Sequence, residues 1–431
     1  MNASVLRTIV FDNPWIEGKP LDDWFARHLP EHYLPRALAL RPDHRVCLVV
    51  GPRQAGKSTL IWKTLAAAGR PALYLNCEEP AVREWLASPA SFLADLPSLG
   101  DPPSAVFLEK AQHLPEAGLF LKGLVDRRPG FHVFATGSSS FDLEASTRES
   151  LAGRAVRHLL LPLSLDEAAG PLPHAAALAD RRRAEVLRRM LVFGGYPTVH
   201  LSKDPEREAA GLVEAFVIRD ASDRFRVQRL PAFRKVLELA ASQVGNLCNY
   251  SEWAALSAIS NDTVDDYVDL LEQSHVVRTL RPFAGGKRSE VTRARKAFFI
   301  DNGLRNALFG GFAQADRRTD IGALHENLVF GEIAKTINPL LDGFHYWRSK
   351  AGGEVDFVVE HQGRILPVEV KAGRLRGRLS RSARSFIEAY EPQVFLVACE
   401  DEPSERQVEG TTVRFVRPWD VAGVVRDFVT G

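Results

Sequence analysis

Uninterrupted apolar runs alternate with helix-period stretches along the first third of the chain. Arg45-Val-Cys-Leu-Val-Val50 is a run of the kind that forms a strand buried on both faces. A Gly-rich turn follows, and then helical spacing through about Ala68. Short apolar runs recur at Ala72–Asn76, Ser104–Leu108 and Phe131–Thr136. Strands alternating with helices in this way predict an α/β fold built on a doubly wound parallel sheet. From about residue 178 to 275 the spacing is helical, and from Val276 to Ile300 it turns β-like around Gly285-Gly286. Between Phe344 and Cys399 strands alternate with a helix again. The predicted organisation is a lead-in over 1–40, a parallel-sheet domain over 41–165, a helical linker over 166–304 and a second α/β domain over 305–431.

Composition narrows the class without naming a function. A chain of 431 residues has enough apolar surface for two or three cores, and its 45% hydrophobic and 25% charged content is ordinary for a globular protein. The 55 basic residues against 54 acidic ones give a net charge of +1, which excludes a global polycation but not local basic patches. Cys47, Cys77, Cys248 and Cys399 form no CxxC pair, so a zinc ribbon is not expected and a reducing compartment is. No signal pattern and no run of 18 apolar residues is present, so the expectation is a cytoplasmic protein without membrane contact.

The turn after the first strand carries chemistry. Gly51-Pro52-Arg53-Gln54-Ala55-Gly56-Lys57-Ser58 matches GxxxxGK[ST], follows a strand and opens a helix that continues with Thr59. Glycines let backbone N–H groups wrap phosphates, and the helix N-terminus adds partial positive charge. Lys57 would reach the β- and γ-phosphates of ATP, and the Ser58 hydroxyl would ligate Mg²⁺. Such a site also needs an acidic residue at the end of a neighbouring strand, and Glu109 stands there.

Around that strand the sequence, Val106-Phe-Leu-Glu109-Lys110-Ala-Gln112-His-Leu-Pro115, resembles a widespread prokaryotic family of AAA+ superfamily ATPases whose C-terminal domain is of unknown function. The family usually reads D-E-x-Q-x-L-P here, so the resemblance implies that Glu109 takes the metal-binding Asp position and Lys110 the water-activating Glu position. An ammonium cannot act as that base. The resemblance thus implies an ATPase, whereas Lys110 argues for slow hydrolysis or for nucleotide binding alone. It also implies that Ser138, in Thr136-Gly-Ser-Ser-Ser140, senses the γ-phosphate. Arg154, in Leu151-Ala-Gly-Arg154, would contact phosphate in cis or, in an oligomer, in trans. A polar turn and a surface arginine are the plainer readings of these two.

In the middle region Phe193-Gly-Gly-Tyr-Pro197 reads as a hinge or tight turn. A helix with Ser251 as its N-cap, a second helix over about 261–272 and a β-hairpin follow in winged helix-turn-helix order. From Arg278 to Lys296 basic residues outnumber the one acid, Glu290, so this wing could lie on DNA phosphates. The helix that would read bases carries Asp262, Asp265, Asp266 and Asp269, which a duplex would repel. Packing or oligomer contacts are the alternative use of the module.

Farther on, Glu354-Val-Asp356 and Val368-Glu369-Val-Lys371 set an Asp and an ExK on predicted neighbouring strands, with Glu369 and Lys371 sharing one face roughly 6–7 Å apart. Asp…ExK, with Glu326 in a preceding helix, resembles the PD-(D/E)XK nuclease fold. The resemblance implies that Glu326, Asp356 and Glu369 hold Mg²⁺ while Lys371 positions water or stabilises charge at phosphorus. A nuclease-like fold that no longer cleaves is the alternative. Lys371, Arg374, Arg376, Arg378, Arg381 and Arg384 then form a second acid-free basic run, over 371–384, suited to DNA.

Overall fold

The computed structural model describes residues 3–137, 151–216, 221, 227–283, 285 and 294–431. The chain divides into two compact units, one of residues 1–162 with 273–275 and one of residues 163–272 and 276–431.

Unit 1 is a five-stranded sheet of β1 (Val46–Val50), β2 (Ala72–Asn76), β3 (Ala105–Glu109), β4 (His132–Thr136) and β5 (Ala155–Leu159), in the order β2-β3-β4-β1-β5. Every pairing is parallel. The period of two along β1 explains why the strand is apolar throughout. Val46, Leu48 and Val50 join one core with Phe92, Leu121 and Leu124, while Cys47 and Val49 join the other with Leu60, Ile61 and Trp62. Four of the five strands are those expected from the apolar runs. β5 carries no such run, because its residues are only partly covered and include Arg157 and His158.

The lead-in belongs to this unit. Its helices Ala3–Asp12 and Leu21–His28 place Val5 and Ile9 in one core and Trp24 and Phe25 in the other. Between them Asn13 completes the open edge of β2: its Nδ2 donates to Tyr74 O (2.8 Å) and its Oδ1 accepts from Tyr74 N (2.7 Å). Trp15 Nε1 donates to Ala72 O at 2.9 Å. An unpaired strand edge is thereby satisfied by a side chain in place of a strand.

Unit 2 opens with helices, among them Ala176–Phe193, Leu230–Ser242, Tyr250–Ser257 and Asn261–Gln273. An eight-stranded mixed sheet follows: β6 (Val277–Pro282), β7 (Lys296–Phe299), β8 (Asp342–Arg348), β9 (Glu354–His361), β10 (Arg364–Val370), β11 (Val394–Ala398), β12 (Ser404–Val408) and β13 (Thr411–Val416). Its order is β12-β13-β11-β10-β9-β8-β6-β7. Two local expectations change. The helix cap is Asn249, whose side chain accepts from Glu252 N at 3.2 Å, and Ser251 is the second residue of the helix. The β6–β7 hairpin is no free wing, because β6 also pairs with β8 through Arg281↔His345 and Pro282↔Tyr346 and so extends the large sheet.

Phe193-Gly-Gly-Tyr-Pro197 is a tight turn built around one buried carboxylate. Asp301 accepts from Gly195 N (2.6 Å) while capping the helix Asn302–Leu308 through Gly303 N and Leu304 N. Gly194 has φ 73°, and a Cβ there would collide with the Asp301 carboxylate. This turn joins two segments more than a hundred residues apart.

Candidate functional site

The phosphate loop leaves β1 at its C-terminal end. Gly51 has φ 144° and faces the Leu160 carbonyl so closely that a Cβ would clash, and Gly56 has φ 92° at the N-cap of the helix Lys57–Ala68. Lys57 is buried, and its ammonium donates to Gly51 O (3.0 Å) and Pro52 O (2.6 Å), so the loop is wrapped around it. Arg36 of the lead-in donates to Ala55 O (2.7 Å) and Leu161 O (2.6 Å), fastening the loop to the segment after β5. No motif marks Arg36, and only the fold brings it there.

Glu109 meets the first turn of the helix that the loop opens. Ser58 Oγ donates to Glu109 Oε1, and the Tyr74 hydroxyl donates to Glu109 Oε2. Both carboxylate oxygens are held, which fixes the longer side chain that stands where an Asp is usual. Burial, reinforced by the Glu109 charge, pushes the Tyr74 hydroxyl far above its ordinary pKa, so it stays a donor. Along the chain nothing marks Tyr74 as a site residue, because it sits in an apolar run. A hydroxyl and a carboxylate are oxygen donors of the sort a hard cation takes, so Ser58 and Glu109 fit Mg²⁺.

The next residue departs from the usual chemistry. Lys110 has φ 55°, its amide donates to Thr136 Oγ1 at 2.9 Å, and its ammonium pairs with Glu78. Ser138 lies outside the described residues. Arg154 is placed away from the phosphate loop. Its carbonyl accepts from Val46 N (2.9 Å), at the opposite end of β1, and its Nε pairs with Asp126 at 2.6 Å. A five-residue strand separates Arg154 from Gly51, so the cis contact with phosphate is excluded by distance.

In unit 2, Asp356 and Glu369 come together on antiparallel β9 and β10, and Lys371 stands between them, 3.0 Å from Glu369 Oε1 and 4.0 Å from Asp356 Oδ2. Asp356 also accepts from Val370 N (2.6 Å), and Glu369 accepts from the Ser380 hydroxyl (3.0 Å). Glu326, in the helix Ile321–Thr336, turns instead to Lys296 of β7 at 3.6 Å, and Lys296 pairs closely with Glu354. Burial and the Asp356 and Glu354 charges push the Glu326 carboxyl up to about 8, against the pull of Lys296. Burial likewise raises Asp356, with Lys371 opposing. Among the described residues no three carboxylate, imidazole or thiol side chains gather to hold a metal ion. Glu326 thus lies near enough to feel the Asp356 charge, but it pairs with Lys296 while Asp356 and Glu369 face Lys371.

Lys296 also corrects the reading of the first basic cluster. Its side chain is 2% exposed and faces inward, so it offers nothing to DNA. Arg278 is set over the Phe344 ring and Arg295 lies 3.9 Å from Asp265. Lys287, Arg288, Glu290 and Arg293 lie outside the described residues. The second cluster is different. Arg374, Arg376, Arg378, Arg381 and Arg384 are all exposed, while Leu375 and Leu379 between them pack inward.

An AAA domain matches residues 43–169, and domains of unknown function DUF8612 and DUF4143 match residues 184–315 and 321–416. An uncharacterized protein of Mycobacterium tuberculosis is 30% identical over 363 residues, covering 82% of this chain and 75% of its own length. An uncharacterized protein of Haemophilus influenzae is 26% identical over 364 residues, covering 79% of this chain and 86% of its own. Among solved structures, a Walker-type ATPase of Pyrococcus abyssi matches 61% of this chain and 90% of its own, at 15% identity and a TM-score of 0.40. Among the described residues no helix is long and apolar enough to cross a membrane.

Proposed function

The chain belongs to the family of AAA-domain proteins that includes the mycobacterial relative, and from that premise we propose that unit 1 binds ATP with Mg²⁺ and hydrolyses it slowly. Lys57 and the loop amides take the phosphates, and Ser58 and Glu109 would hold the metal, which supplies charge neutralisation between the β- and γ-phosphates. The observation that carries the reading is Lys110. At the position suited to a water-activating carboxylate stands an ammonium already committed to Glu78. ATP occupancy, rather than rapid turnover, is then the signal. In equilibrium binding with Mg²⁺, wild type is expected to bind ATP and Lys57→Ala to bind at least about a hundredfold more weakly. Equal binding by the two would remove the site assignment.

For unit 2 we propose a regulatory or scaffolding role in which the exposed arginines over 374–384 hold a polyanion such as DNA. The support is the exposure of all five and the two lysines that neutralise the carboxylates beside them. The meeting of Asp356, Glu369 and Lys371 favours a second reading, metal-dependent phosphodiester cleavage. Duplex and single-stranded DNA incubated with Mg²⁺ or Mn²⁺ separate them. Binding that weakens steeply with salt and leaves the DNA intact is the expected outcome. Cleavage abolished by Asp356→Ala would establish the second reading instead. Failure to bind either DNA form would end the polyanion proposal.

A further inference from the structure

The end of β3 carries two consecutive charges of opposite sign with different partners. Glu109 turns to Ser58 and Tyr74, against the first turn of the phosphate-loop helix. Lys110 leaves the strand in a left-handed conformation, anchored through its amide to Thr136, and its ammonium reaches Glu78 just beyond the end of β2. Asn76 and Glu109 are register partners, so Glu78 and Lys110 both project past the C-terminal edge of the sheet, the same edge from which Gly51 starts the phosphate loop. Glu78 is shared further. His113 Nε2 lies 3.5 Å from its other oxygen. Burial would raise the Glu78 carboxyl, but Lys110, His113 and the loop residue Arg53 together hold it below its ordinary value. The Lys110 and Glu78 side chains are 38% and 42% exposed, so packing does not dictate the pair. One carboxylate facing two cationic side chains and a histidine, one of the cations on the phosphate loop itself, occupies a position built for an anion.

We propose that the terminal phosphate of a nucleoside triphosphate competes with Glu78 for Lys110, so that Lys110 gives the site its preference for triphosphate over diphosphate. The proposal rests on the reading of unit 1 as a nucleotide site and concerns binding only. A diphosphate ends one group short and leaves the Lys110–Glu78 pair intact. A triphosphate offers a more highly charged acceptor and takes the lysine over. The residue that is useless as a base thereby helps to retain the unhydrolysed nucleotide.

Titration calorimetry on the full chain, with Mg²⁺ and either ADP or a non-hydrolysable ATP analogue, tests this in two directions. Lys110→Met is expected to weaken the triphosphate by about tenfold or more, the worth of one charge-assisted hydrogen bond, and to leave ADP within about twofold. Glu78→Gln removes the competitor and is expected to tighten the triphosphate severalfold, again sparing ADP. That gain cannot come from a folding defect, so it decides the matter if Lys110→Met is poorly folded. Both nucleotides shifting together, or neither shifting, overturns the proposal. A wild-type chain that binds neither nucleotide overturns the nucleotide-site reading and this proposal with it. A chain that binds both without discrimination overturns this proposal alone.

Discussion

Replacing Lys110 by Glu is expected to raise ATP turnover at saturating nucleotide by about a hundredfold, the usual contribution of a positioned general base. The strand end that would carry such a base is held in place. Glu109 is held by Ser58 and Tyr74, and the backbone at 110 is fixed by Thr136. The new carboxylate would face Glu78, so the informative version pairs Lys110→Glu with Glu78→Lys and preserves an ion pair of reversed polarity. Turnover should rise in that double variant too, even where its affinity for ATP falls. Steady-state phosphate release at saturating ATP measures the effect. No gain in either variant would mean that hydrolysis is limited elsewhere and that Lys110 is not what slows it.

Lys296→Met is expected to destabilise unit 2 by about 3 kcal/mol, the typical cost of removing one partner from a buried ion pair. The shape of the side chain is nearly kept, so lost packing contributes little. What is lost is the only cation beside both Glu326 and Glu354 among the described residues. The effect should depend on pH. Glu326 ordinarily titrates at 4.5 and is raised to about 8 in the folded chain, so its folded form holds a proton that the unfolded form has lost. Stability from that proton is fully present below 4.5 and is lost as pH climbs through about 8. Without Lys296 the carboxyl is raised further, so the denaturation midpoint of the variant should fall more steeply between pH 6 and pH 9 than that of wild type. Adding Glu326→Gln should recover part of the loss. A loss that is the same at both pH values would show that Lys296 does not act through the Glu326 carboxyl.

Much of this architecture is legible in the chain because parallel strands buried on both faces must be apolar throughout. That rule marks β1 through β4 and fixes the phosphate loop between β1 and its helix. It fails for β5, whose half-covered residues need not be apolar. Glu109 is legible from its place at a strand end, whereas its partner Tyr74 hides among the apolar residues of β2. Arg36 and Asn13 act through contacts that only the folded lead-in creates. In unit 2 the Asp…ExK spacing does bring Asp356, Glu369 and Lys371 together. The pairing of Glu326 with Lys296 is invisible, because Lys296 reads along the chain as one more charge in a basic hairpin. Its burial follows from β6 joining β8, a contact across more than sixty residues. Local pattern records periodicity and motif spacing, but not which charge a distant strand will cover.

A single-turnover experiment speaks to the whole account. The full chain is loaded with one equivalent of γ-labelled ATP in Mg²⁺, and free phosphate is followed with time. The expected result is retained ATP, with phosphate released at a rate about a hundredfold below the ~1 s⁻¹ at the low end of typical enzymes, and faster release in Lys110→Glu. Release from wild type at ordinary enzyme rates, lost in Lys57→Ala, would contradict it.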